Sequence, residues 1–151
     1  MIDHKLIILA IYLPMISDTG GNAGGQSSSI IIRALSLGEL TLRDVFKILK
    51  KEFQIAIGLS LILAFVTITR VWFFTEDYHL TGGTTMTSLM LCVGLALSLQ
   101  VILSTIIGAL LPFIATYFKQ DPAVVASPAI TTIVDISGLL IYFSMANLLL
   151  F

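Results

Sequence analysis

Charged side chains are scarce in this sequence. Asp, Glu, Lys and Arg make up 11 % of its 151 residues, against about 25 % in soluble domains, while 57 % are hydrophobic and the mean hydropathy is +1.02. A water-soluble domain of this size buries only about 70 % of the surface its unfolded chain exposes. Such a composition would leave wide apolar patches in water, so a cytosolic globule is excluded and lipid is implied. A basic excess is also missing: the net charge of -1 gives no footprint for nucleic acid. The single cysteine, Cys92, excludes an intrachain disulfide, and its apolar surroundings predict a buried, inert thiol. His4 and His79 stand alone, with no second His or Cys at ligand spacing, so no zinc site is expected. No G-x-x-x-x-G-K-[ST] run is present, which argues against direct coupling to ATP. The first apolar run continues into Pro14, Asp18 and glycines without an A-x-A step, so it is read as mature sequence and not as a removed leader. The longest polar stretch, Arg33 to Glu52, is interleaved with Leu35, Leu37, Leu40, Leu42, Val45, Phe46, Ile48 and Leu49. Residues 1–151 therefore form one membrane domain.

What is present in quantity is apolar sequence in long runs. A helix needs about 20 apolar residues to cross a bilayer, and four spans meet that length, at about 6–32, 53–74, 86–118 and 123–151. The expected fold is an all-α, polytopic membrane helix bundle of about four transmembrane helices with an interfacial amphipathic segment. That segment places Leu42, Val45, Phe46 and Leu49 on one face and Arg43, Lys47, Lys50 and Lys51 on the rest, the pattern of a helix lying in the membrane surface, with room to run straight into the second span. Thr75 to Thr85 reads as a loop. Spans two and three are plain, with Gly58, Ser60, Gly94, Ala96, Ser98 and Gly108 available for close helix approach. Six basic residues (Arg33, Arg43, Lys47, Lys50, Lys51, Lys119) fall on one side of the spans and two (Lys5, Arg70) on the other. The positive-inside bias then predicts a multi-pass protein of the cell (inner) membrane with both termini outside. Trp72 and Tyr78, with Tyr12 and Tyr117, suit interfacial anchoring.

Spans one and four carry polar residues in their interiors. Asp18, Asn22, Gln26 and Ser29 follow at steps of four, four and three, so a helix aligns them in one stripe that cannot face lipid. Gly20, Gly21, Gly24 and Gly25 permit close packing or a turn of backbone carbonyls toward a cavity. The stripe suits a hydrated cation path, and equally suits polar glue between helices. In the fourth span Thr131, Asp135, Gly138 and Tyr142 share a face at i+4, i+3 and i+4. An aspartate deep in an apolar helix costs about 3 kcal/mol or more to insert and usually faces a bundle interior or a water-filled path. The alternative for Asp135 is a structural carboxylate paired with Arg33 or hydrogen-bonded to Thr131. Asp18 to Gly21 and Asp135 to Gly138 repeat an Asp-x-x-Gly step, a weak hint of an inverted repeat.

The strings PMISDTGGNAGGQSSSIIIRALSLGEL (Pro14 to Leu40) and DPAVVASPAITTIVDISGLLIYFSMA (Asp121 to Ala146) resemble the MgtE family of bacterial magnesium channels, which is related to a class of eukaryotic carriers. The matching features are the TGGN-x-G-x-Q-S segment with its following Arg-Ala pair and Ser-Leu-Gly-Glu step, and in the last span DPA, a proline, T-x-x-D and G-L-x-I-Y. Ile107-Gly108-Ala109-Leu110-Leu111-Pro112 follows the family's weaker pattern. The resemblance implies a homodimeric channel in the lipid bilayer with Mg²⁺ as the transported ion. It further implies a metal-binding role for Asp135 and pore-lining positions at Gly21, Asn22 and Gly25, joined on the polar stripes by Asp18, Gln26, Thr131 and Gly138. Family members also carry an acidic helical domain, a CBS-domain pair and a first membrane helix that have no counterpart here. The expectation is therefore either a truncated product or a subunit completed by a separate chain supplying those parts. Three functions are weighed: divalent cation (magnesium) transport, a non-conducting or partner-dependent subunit, and, remotely, an intramembrane aspartyl protease using the Asp18-Thr19-Gly20 triplet with Asp135. Transport is favoured, and no enzyme activity is expected.

Overall fold

The computed structural model describes residues 4–74 and 85–151. Its elements are α1 (His4–Ser36), a 3-10 turn (Leu42–Asp44), α2 (Val45–Phe74), α3 (Met86–Tyr117) and α4 (Pro122–Leu149). The chain is all-α across these residues, as its apolar runs predict. Three stretches, Leu42–Phe74, Met86–Tyr117 and Pro122–Leu149, are long and apolar enough to cross a membrane. At 33 residues α1 is as long as they are, but its composition is diluted by the run of Ser, Asp, Asn, Gln and Gly at 17–29. The loop residues Glu76, Asp77, Tyr78, His79, Gly82 and Gly83, and the side chain of His4, lie outside the described part.

Helix ends follow local chemistry. After α1, Gly38 adopts φ 71° and the Glu39 amide reaches back to the Ala34 carbonyl at 2.9 Å, closing the helix in the left-handed turn that glycine tolerates best. The Asp44 carboxylate accepts from the Thr41 amide (2.9 Å) and hydroxyl (2.8 Å), which ties down the start of the next helix. The amphipathic segment is continuous with α2. Its Val45, Ile48 and Leu49 pack with Leu35 and Leu40 against a cluster of Ile31, Ala109 and Phe113, while Phe46 stays exposed. Thr85 caps α3 by accepting from the Ser88 amide at 3.1 Å. Asp121 caps α4 by accepting from the Ala123 amide at 2.8 Å, with Pro122 in the first turn, where its missing N–H costs nothing.

Helix α3 is the centre of the bundle. It packs against α1, α2 and α4, and α1 and α4 pack on each other. Accordingly α3 is buried along much of its length, whereas α2 buries one stripe, Ala56, Ser60, Thr67 and Val71. The main core joins Leu9, Tyr12 and Ile16 of α1 to Val71 of α2, to Leu89, Cys92, Val93, Ala96, Leu97 and Val101 of α3, and to Tyr142 and Ala146 of α4. Cys92 is buried, as expected. Tyr12 is a core residue here and not an interfacial anchor, with the Arg70 guanidinium 6.0 Å from its ring centroid. Trp72 and Tyr117 are exposed at helix ends.

Candidate functional site

The polar stretch of α1 and the middle of α4 lie side by side. Small residues set this proximity through α3: a Cβ on Gly24 would stand 2.8 Å from the Ser104 carbonyl oxygen of α3, so the two backbones run nearly in contact. Between α1 and α4 a groove of about 530 Å³ is lined by Gly21, Gly25, Ser28, Ser29, Ile32 and Arg33 on one wall and Ala123, Ser127, Ile130 and Thr131 on the other. A second hollow, of about 490 Å³, runs along the open side of α1 past Gly21, Asn22, Gly25, Gln26 and Ser29. No side chain narrows the groove at Gly21 or Gly25, where an added Cβ would meet nothing within 4 Å.

Asp135 joins the two helices directly. Ser17 Oγ of α1 donates to Asp135 Oδ1 at 2.5 Å. Neither expected structural partner holds the carboxylate: Thr131 gives its hydroxyl to the Pro128 carbonyl at 3.0 Å, and Arg33 lines the groove without a side-chain partner among the described residues. Asp18, also exposed, accepts from Asn22 Nδ2 at 3.2 Å within its own helix. The two carboxylates thus have different partners, one between helices and one within a helix. Ser27 turns the other way and donates to Glu52 of α2 at 2.8 Å.

The sequence-derived residues separate into two sets. Gly21, Asn22, Gly25, Gln26 and Ser29 line one continuous open face with Asp18 beside them, and Thr131 and Asp135 stand exposed on α4. Gly138 is instead buried, its Cα against the Gln100 amide, and Tyr142 lies in the core. Sequence reasoning did not single out Ser17, Ser28 or Gln100. Ser28 is 2 % exposed and its Oγ has no partner. Gln100 is fully buried in an otherwise apolar stretch of α3 and donates to the Val134 carbonyl at 2.8 Å. Its amide among aliphatic neighbours was the available signal, since a buried polar group costs free energy unless something holds it. Among the described residues no cluster of three His, Cys, Asp or Glu gathers at one place. The site therefore offers one or two carboxylates with hydroxyls, amides and open space, and suits an ion that keeps its own water.

Comparison with known proteins decides the family. The model of a divalent cation transporter family, MgtE, matches residues 13–145. The chain belongs to the MgtE family. It is 40 % identical over 142 residues to the magnesium transporter MgtE of Thermus thermophilus, which covers 94 % of this chain and 29 % of that protein. It is 33 % identical over 147 residues to the MgtE of Bacillus subtilis (95 % and 30 %) and 27 % identical over 143 residues to that of Enterococcus faecalis (93 % and 29 %). The chain thus spans about 30 % of the length of these MgtE relatives. MgtE is a family of membrane transporters and not of enzymes, and the apolar spans of this chain agree with a membrane location.

Proposed function

We propose that the chain carries magnesium across the cell (inner) membrane through a pore between two copies, lined by α1 and α4, with Asp135 receiving the ion. The observation that carries this reading is the set of exposed polar residues on the paired helices, Asp18, Asn22, Gln26 and Ser29 on α1 and Thr131 and Asp135 on α4, with Ser29 and Thr131 lining one groove and Ser17 bound to Asp135. Such residues are costly against lipid and stable against water or a second copy. The names of the relatives, magnesium transporters, point to the ion.

The chemistry follows from magnesium's reluctance to lose water. Asp135 accepts hydrogen bonds from the ion's coordinated waters while Ser17 fixes one carboxylate oxygen in place. At about 4.5 Å, across one water layer, a carboxylate attracts a divalent ion by about 2 kcal/mol in bulk water and about four times as much at an effective dielectric constant of 20. A paired carboxylate from a second copy doubles the charge. The unobstructed Gly21 and Gly25 leave room for a hydrated ion to pass.

The test is magnesium entry into proteoliposomes containing this chain, read with an internal fluorescent indicator. Wild-type flux and its loss in Asp135→Asn support the proposal, and undiminished flux in Asp135→Asn overturns the assigned site. Absence of flux from the wild-type chain, restored on adding the remaining segments of a longer relative, supports a second reading, a subunit that conducts only with a partner chain.

A further inference from the structure

Gln100 of α3 touches both helices of the site. Its amide lies between two glycines: a Cβ on Gly20 of α1 would stand 2.7 Å from Gln100 Cγ, and one on Gly138 of α4 would stand 3.0 Å from Gln100 Nε2. Gly20 follows Ser17 by three residues and Gly138 follows Asp135 by three. Each glycine contact thus falls about one turn beyond a member of the hydrogen-bonded pair. Gln100 Nε2 also donates to the carbonyl of Val134 at 2.8 Å, the residue immediately before Asp135. Gln100 Oε1 is buried without a partner. A buried, unpaired amide oxygen is destabilising, and a methionine of similar length would remove that cost. The fold retains it where α1, α3 and α4 meet.

We infer that Gln100 is a positioning residue for Asp135: its amide sets the rotation and height of α4 against α1, and so the Ser17 to Asp135 contact that presents the carboxylate to the ion. This rests on the proposal that Asp135 receives magnesium. A Cβ at Gly20 would force the amide to shift, and one at Gly138 would press on it by a few tenths of an ångström.

The experiment is a calorimetric Mg²⁺ titration of the chain in lipid nanodiscs, with thermal unfolding measured in parallel. Gln100→Met removes the donor and the unpaired oxygen together. The unfolding temperature is expected to stay level or rise, while Mg²⁺ affinity falls about tenfold, the scale of one charge-linked contact. Ser17→Ala is expected to lower affinity similarly, and the double variant to fall no further than either single one, since both act through the same contact. Wild-type affinity in Gln100→Met, or additive losses in the double variant, overturns the inference. If Gln100→Met does not yield folded protein, Gly138→Ala presses on the same amide from α4: a loss of affinity there supports the inference and wild-type affinity overturns it. Asp135→Asn in the same titration separates the two levels. Unchanged affinity there defeats the reading of Asp135 itself, whereas loss in Asp135→Asn with none in Gln100→Met defeats only the role of Gln100.

Discussion

Gly24 of α1 and Gly108 of α3 cross backbone to backbone, so closely that a Cβ on Gly108 would fall on the Gly24 carbonyl group. In lipid, where tails are as apolar as side chains, close backbone approach of this kind is a main source of helix association. It also brings the polar stretch of α1 to its place beside α4.

Gly108→Ala is therefore expected to destabilise the bundle by about 3 kcal/mol, the upper range for overpacking. Gly58→Ala serves as the contrast, because nothing lies within 4 Å of its Cβ position; it is expected to leave stability unchanged or to raise it slightly through helix propensity. Thermal unfolding in detergent, followed by circular dichroism, checks both. Equal stability of the two variants would refute the crossing.

The groove predicts a steric effect without a folding defect. Gly25 has open space around its Cβ position and lines the groove facing α4, so Gly25→Leu is expected to fold normally and to cut magnesium flux in proteoliposomes at least severalfold. Full flux through a folded Gly25→Leu chain would move the ion path elsewhere.

Asp18 and Asp135 differ in partner, and their substitutions should differ in effect. Asp18 is tied within α1 to Asn22, which stays on the open face when the carboxylate is lost. Asp18→Asn is expected to weaken Mg²⁺ binding by no more than about threefold, and Asp135→Asn by tenfold or more. Calorimetric titration of the two variants side by side decides it, and the reverse order would reassign the site.

Orientation is testable with thiol chemistry. Cys92 is buried, so the native chain should resist an impermeant maleimide. A cysteine replacing Glu76 is expected to label from outside intact cells and one replacing Lys50 is not, because six basic residues lie on the side of Lys50 and two on the other. The opposite labelling pattern would invert the topology.

Asp121 gives a stability prediction separate from transport. Its carboxylate caps α4 through the Ala123 amide at 2.8 Å, so Asp121→Ala is expected to cost about 1 kcal/mol and to leave Mg²⁺ affinity at the wild-type value. A change in affinity at unaltered stability would show that Asp121 serves the ion.

The sequence by itself determined the elements and the chemistry available to them. Apolar run length set the helices, and Asp18, Asn22, Gln26 and Asp135 announced a polar face inside apolar helices. These are local properties, fixed by backbone sterics, hydrogen-bonding capacity and the cost of polar groups in lipid. Which side of a helix meets a neighbour is not local. The buried seam of α4 runs Ala126, Ile130, Val134, Gly138, Tyr142, Ala146, one residue in every four, and a four-residue step advances about 40° beyond a full turn. The seam therefore winds round the helix. It takes in Gly138 and Tyr142 and leaves Asp135, one place past Val134, on the open side, although spacing alone had grouped all three. The same crossing geometry buried Gln100 in a span that looked plain, and brought Ser17 to Asp135 across 118 positions of chain. Periodicity fixes where residues stand on their own helix; only the packing of one helix on another decides what each of them faces.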